Sequence, residues 1–65
     1  MKFVKLNSRC QRAVGEKGVF YIEKTKAYYY GSYIGKTMAF HFPRRSSLRE
    51  MNEMMQKNEY WEEVK

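Results

Sequence analysis

Hydrophobic positions follow two different periods along this chain. Between Gly18 and Phe42 they recur at every second residue, and the β-branched and aromatic side chains there are typical of strands. Short polar breaks at residues 24–26 and 35–36 divide the segment into three parts, so the pattern predicts a three-stranded antiparallel meander. Farther along the chain, the spacing changes to that of a helix.

The C-terminal segment carries the helical pattern. Ser47 and Glu50 match a capping box, in which the serine hydroxyl accepts a hydrogen bond from a free backbone N–H and the glutamate reaches back to the cap. We therefore predict an amphipathic helix that begins after Ser47 and covers the sheet. Its expected apolar positions are Leu48, Met51, Met55, Trp61 and Val64.

The turns of the meander determine which residues pair across it. If Gly35-Lys36 is a two-residue turn, Tyr33 faces Met38, and if Thr25-Lys26 is another, Ile22 faces Tyr29. The two hairpins then agree on which side chains point toward the helix. The predicted core face consists of Phe20, Ile22, Tyr29, Gly31, Tyr33, Met38, Phe40 and Phe42.

The first seventeen residues are patterned less clearly. Residues 2–6 form a plausible edge strand, whereas residues 8–14 fit either a short helix, capped by Ser8 with Gln11 and stopped by Gly15, or a strand; we favour the helix. The expected fold is a single α+β domain over residues 1–65. The meander and an N-terminal edge strand form a small antiparallel sheet, which is covered by the C-terminal helix. The alternative is that the sheet closes into a small barrel.

Composition and charge narrow the possible functions. The 65 residues carry a net charge of +6, and ten Lys or Arg against two Glu give residues 1–45 a net +8, which favours an anionic partner. Cys10 and His41 are the only cysteine and histidine and aspartate is absent, so we expect no disulfide framework, no metal site and no cofactor. Because apolar runs are short, we expect a cytoplasmic protein without a membrane partner.

The second face of the meander is the strongest functional signal. Under the predicted register, Tyr21, Tyr30 and His41 lie side by side across three strands, with Tyr28 next to them. Aromatic faces stack the bases of single strands while Lys and Arg follow the backbone, so we predict binding of RNA or single-stranded DNA. The cationic rim would comprise Lys24 and Lys26 at one end, Lys36 at the other, and Arg44 and Arg45 after the last strand.

Three other functions were weighed against this one. Gly31 to Thr37 has the outline of a phosphate-binding loop, but three residues instead of four separate the glycines and a strand pattern follows, so a hairpin turn is favoured. The alternative is a small interaction or inhibitor protein that docks on a larger partner, nucleic-acid-handling proteins included. We expect no enzymatic activity; a metal-independent ribonuclease that uses His41 as acid or base is the minor alternative.

Overall fold

The computed structural model describes residues 1–64, which form an antiparallel sheet and one helix. In chain order, the elements are β1 (Val4–Lys5), β2 (Cys10–Val14), β3 (Gly18–Lys24), β4 (Tyr29–Gly35), β5 (Ala39–His41) and α1 (Leu48–Gln56). The strands pair in the order of the sequence, with β1 and β5 at the two edges. This confirms the predicted α+β arrangement, and the sheet stays open instead of closing into a barrel.

Residues 10–14 form β2 and residues 8 and 9 belong to the turn before it, so the preference for a short helix over residues 8–14 is wrong. Ala13 of β2 lies opposite Phe20 of β3, and both are buried. The preceding turn is closed by Asn7, whose Oδ1 accepts hydrogen bonds from the backbone N–H groups of Arg9 and Cys10 at 2.8 and 2.9 Å. Tertiary pairing with two neighbouring strands therefore outweighs the local capping signal of Ser8.

Both hairpins of the meander turn one residue later than predicted. The N–H of Thr25 donates to the carbonyl of Tyr28, and that of Gly35 donates to the carbonyl of Met38, at 2.9 and 2.8 Å. The two-residue loops are therefore residues 26–27 and 36–37, and each register moves by two positions. Because side chains alternate with a period of two, this shift leaves every strand residue on its predicted face.

The register shift changes which side chains are neighbours. Tyr21 lies opposite Ser32 instead of Tyr30, and Tyr33 lies opposite Phe40 instead of Met38. Met38 falls in the turn before β5, where it is 42% exposed, so its predicted place in the core is wrong.

The core lies between the sheet and α1. Met51 and Met55 of the helix are fully buried and pack with Phe20 and Ile22 of β3. Next to them, rings from the sheet and from the segment after the helix contact each other with centroids 4.8 to 5.8 Å apart. This aromatic cluster consists of Phe20, Tyr33, Phe40, Phe42, Tyr60 and Trp61.

Tyr33 spans the core side of one end of the sheet. Its hydroxyl donates to the carbonyl of Lys17 at 3.0 Å. To reach it, the ring passes over Gly18, where a Cβ atom would lie 2.6 Å from both the Tyr33 hydroxyl and the carbonyl oxygen of Ile34. Glycine is therefore required there by the close approach of the ring and the neighbouring strand.

The helix begins as predicted but ends early. Ser47 is the N-cap, and its hydroxyl accepts from the N–H of Glu50 at 3.2 Å. After Gln56 the chain turns, and Oδ1 of Asn58 accepts from the N–H of Tyr60 at 2.9 Å, a local bond that competes with helix continuation. The helical spacing thus predicted too long a helix: Trp61 packs on the core from this turn, whereas Val64 is 60% exposed.

The tail after the helix runs along the β2–β3 hairpin. The N–H of Glu16 donates to the carbonyl of Glu62 at 2.8 Å, and Nζ of Lys17 lies 3.8 Å from the Glu62 carboxylate. No helix within residues 1–64 is long and apolar enough to cross a lipid bilayer.

Two methionine substitutions test this account of the core. Met55→Ala should lower the free energy of unfolding by about 2 to 5 kcal/mol, because it leaves a cavity beneath the sheet. Met38→Ala, in the exposed turn, should change it by less than about 0.5 kcal/mol. Urea denaturation followed by circular dichroism measures both, and equal losses would contradict the register described above.

Candidate nucleic-acid interface

The sheet face turned away from α1 is uncovered within residues 1–64. We call it the open face. Its side chains are those of Val4, Cys10, Arg12, Val14, Val19, Tyr21, Glu23, Tyr30, Ser32, Ile34, Ala39 and His41. The strand register arranges them in three rows across the sheet, and each row has a different chemistry.

The middle row combines charged, polar and aromatic side chains, and the two outer rows differ from each other in polarity. Arg12, Tyr21, Ser32 and His41 are successive partners across β2 to β5, with Val4 at the β1 edge. One outer row pairs Cys10, Glu23 and Tyr30. The other is apolar and consists of Val14, Val19, Ile34 and Ala39.

Tyr21, Tyr30 and His41 do not form the single row that the sequence predicted, because the register shift moves Tyr30 to the neighbouring row. All three nevertheless line one shallow cavity of about 340 Å³. Its volume falls within the range of about 300 to 1,000 Å³ that is usual for small-molecule sites. The remaining lining residues are Cys10, Ile22, Glu23, Gly31 and Ser32. We call it the aromatic cavity.

Tyr29 and Tyr30 point to opposite faces of the sheet, as predicted. Tyr30 is 42% exposed on the open face, whereas Tyr29 packs against the core from the opposite face. Tyr28 precedes β4, and its ring is partly covered by the guanidinium of Arg44, whose Cζ lies 4.3 Å from the ring centroid. This distance is within the range of a cation–π contact. Tyr30 is therefore the most accessible stacking surface of the three.

A bulge places Arg44 over Tyr28. The N–H of Phe42 donates to the carbonyl of Gly31, and Arg45 exchanges two backbone hydrogen bonds with Tyr29 at 2.8 and 3.0 Å. Two residues, Pro43 and Arg44, therefore lie opposite Tyr30 alone, the arrangement that defines a bulge and that redirects side chains. Proline is tolerated there because this position requires no ladder N–H.

Cations gather at the end of the sheet next to the aromatic cavity. The N–H of Lys24 donates to the carbonyl of Arg9 at 2.7 Å, which brings the β1–β2 and β3–β4 turns together. The shallow cavity between these turns, of about 500 Å³, is lined by Ser8, Arg9, Glu23, Lys24, Thr25 and Lys26. We call the cations Arg9, Lys24, Lys26, Arg44 and Arg45 the basic end.

The predicted rim residues do not all belong to this group. Lys24, Lys26, Arg44 and Arg45 are at the basic end, but Lys24 and Arg45 both lie opposite Tyr29, so their side chains leave the sheet on the face of α1 and not on the open face. Lys36 is in the β4–β5 turn at the other end of β4, about 20 Å away at the rise of a strand. Within residues 1–64, no ion pair involves Arg9, Lys24 or Lys26. Their charges are therefore available to an anion in solution.

Sequence reasoning did not select Arg9, Arg12, Glu23 or Ser32 as site residues. Arg9 and Arg12 were missed because residues 8–14 were interpreted as a helix. The alternation of Cys10, Arg12 and Val14 with Gln11 and Ala13 was the signal that would have placed Arg12 on the open face. Ser32 enters the site only through the two-residue register shift.

The described residues contain no obvious metal site. Among residues 1–64, no group of three or more His, Cys, Asp or Glu side chains is placed to hold an ion. No protein-family model, curated protein or solved structure matches this chain. The function is therefore argued from the side chains of the site itself.

The division of the tyrosines gives a direct test of this geometry. Tyr33→Ala should destabilise the fold by about 3 to 5 kcal/mol, because it empties the centre of the aromatic cluster. Tyr30→Ala should cost less than about 1 kcal/mol, since only cross-strand contacts on an exposed face are lost. Thermal and urea unfolding of the two variants measure the difference. A larger loss for Tyr30→Ala would show that the open face is covered.

Proposed function

We propose that this protein binds single-stranded nucleic acid across the open face. One observation carries the proposal: the aromatic cavity and the cavity of the basic end are adjacent and share Glu23 in their linings. A nucleotide has an aromatic base and an anionic phosphate only a few bonds apart. The two cavities place a stacking surface next to a group of cations.

The aromatic cavity favours bases over other apolar ligands. Tyr30 presents its ring to solvent, and Tyr21 is half-buried beside it. Stacking of a base on such a ring contributes about 1 to 3 kcal/mol and depends little on which base is bound. His41 and Ser32 add hydrogen-bonding groups at the edge of the same cavity. Single strands fit this surface better than duplexes, since only unpaired bases expose their faces.

The charge distribution favours a polyanion at one end of the sheet. The basic end carries five cations. Four of the five glutamates after residue 45 lie from Glu53 onward. The tail, which contains Glu59, Glu62 and Glu63, runs along the β2–β3 hairpin at the opposite end of the sheet. Phosphates are therefore attracted to the basic end without competition from this acidic tail. Binding should follow the strand direction from the aromatic cavity toward the β3–β4 turn.

Oligonucleotide binding over a salt series tests this proposal. Labelled ten-nucleotide RNA and DNA strands of mixed sequence should bind, with affinity that falls steeply between about 50 and 200 mM salt as phosphate contacts are screened. Tyr30→Ala should weaken binding by about fivefold or more through lost stacking. Replacing Arg9 and Lys26 together by Ala should lower the slope of log K against log salt by about 1.4.

Lys57→Ala, after the helix and away from the open face, is the control: it removes one positive charge outside the site and should change the slope little. Fluorescence anisotropy provides the measurement for all variants. Absence of binding at low salt would refute the proposal, and so would equal affinities of Tyr30→Ala and the unmodified protein.

Protein docking is a second candidate, and the apolar row favours it. Val14 and Ile34 of this row are 54% and 52% exposed, and their side chains point away from the core. Exposed apolar residues that are contiguous, not scattered, are typical of protein interaction sites. Because the row lies beyond the aromatic cavity along the strands, a protein partner would contact a different part of the open face.

A nuclease-treated pull-down distinguishes this candidate from the first. A protein identified by mass spectrometry should remain bound to the unmodified chain and be lost with Ile34→Glu, which places a charge in the apolar row. Gln56→Glu adds the same charge at the end of α1 and should retain the partner. Identical proteins recovered with both variants would exclude docking through this row.

A further inference from the structure

Glu23 is the only acidic side chain on the open face. It is exposed, lies directly opposite Tyr30 in the strand register, and lines both the aromatic cavity and the cavity of the basic end. No ion pair within residues 1–64 involves it, although Lys24 follows it directly in the chain. Its carboxylate is therefore available to a ligand.

A carboxylate in this place opposes the attraction of phosphates. It sits between the ring that would stack a base and the cations that would hold the backbone, where a negative charge weakens binding of any polyanion. Such a cost is offset if the carboxylate makes hydrogen bonds with the ligand. In a nucleotide, the base edge and the ribose 2′-hydroxyl can donate hydrogen bonds, whereas ionised phosphates carry acceptors alone, and of the two donors only a base edge can present two N–H groups side by side.

We propose that Glu23 makes the open face selective for guanine among unpaired bases. The inference rests on the proposed function, and it specifies which nucleotide that site prefers. An ionised carboxylate only accepts hydrogen bonds, and its two oxygens suit two parallel donors, as in its pairing with arginine. Guanine presents two such donors side by side on its Watson–Crick edge, N1–H and the N2 amino group.

The other bases match the carboxylate less well. Adenine and cytosine each place one amino donor beside an acceptor ring nitrogen, which would face the second carboxylate oxygen and repel it. Uracil has a single N–H between two carbonyl oxygens. Each of these bases therefore offers one hydrogen bond and at least one unfavourable contact, whereas guanine offers two hydrogen bonds.

The strand register allows a base to stack on Tyr30 while the edge of the same base contacts Glu23. Directly opposite residues in an antiparallel pair have Cβ atoms about 4.5 to 5.5 Å apart, so a base stacked on Tyr30 extends toward its partner Glu23. Arg12 is diagonal to Glu23 on the neighbouring strand, and Arg9, Lys24 and Lys26 surround the adjoining cavity. None of these cations forms an ion pair with the carboxylate, so its oxygens remain available to the base.

Three RNA pentanucleotides that differ at one base test this inference. In strands of four uridines with a central guanosine, adenosine or cytidine, the guanosine strand should bind about fivefold or more tightly than the other two, the discrimination of a bidentate contact. Glu23→Gln keeps the size of the side chain but adds a donor, so it should abolish this preference. Glu53→Gln removes the same charge from α1 and should leave the preference unchanged.

The outcomes separate this inference from the function on which it rests. Equal binding of all three strands by the unmodified protein overturns guanine selectivity while leaving nucleic-acid binding in place. A uniform gain in affinity with Glu23→Gln, with the guanosine preference retained, also overturns it, since Glu23 would then only repel phosphate. If none of the strands binds, nor any of the ten-nucleotide strands, both proposals are refuted. Circular dichroism confirms that each variant is folded.

Discussion

Burial of Phe20 and Ile22 beneath the helical methionines fixes which side of the sheet meets solvent. Both side chains are essentially inaccessible, and both point to the same side of β3. Because successive side chains of a strand alternate, Tyr21 and Glu23 must then point to the other side. The register extends this constraint to every neighbouring strand. The composition of the open face is thus a consequence of how the core is packed, and a change that inverted β3 would expose the core and bury the proposed site together.

The alternation of side chains along each strand also explains how much of the fold and of the open face could be predicted from the sequence. The alternation along the strands gave the correct face for Tyr21, Tyr30 and His41, because displacing each turn by one residue shifts the register by two, which leaves every side chain on the same face. It did not give their neighbours, since loop position depends on turn hydrogen bonds that composition does not determine. The capping signal of Ser47 succeeded because nothing competes with it, whereas that of Ser8 failed because β1 and β3 flank the segment. Long-range pairing was the information missing for Ser8.

Charge is separated along the strands as well as along the sequence. The tail after α1 is held at the β2–β3 hairpin by a backbone hydrogen bond from Glu16 and by the pair of Lys17 with Glu62. The amino terminus of the chain also lies 3.9 Å from Glu63. Cations near the tail are therefore partly engaged with it, whereas Arg9, Lys24 and Lys26 at the other end are not. Exposed pairs of this kind contribute little to stability, so their main effect is on the direction of the electrostatic field.

The bulge at Pro43 and Arg44 also limits how an extended chain can approach the molecule. An extended chain that paired with the β5 edge would meet only the three residues of this strand before Pro43, which has no N–H to donate. Backbone-to-backbone pairing of this type depends on the extended main chain of a ligand and very little on its side groups. Because the β5 edge disfavours backbone pairing, a ligand of the proposed kind would contact the side chains of the open face instead. Side chains can distinguish one chemical group from another, so a ligand bound according to the proposal would be selected by its chemical groups and not by its extended main chain.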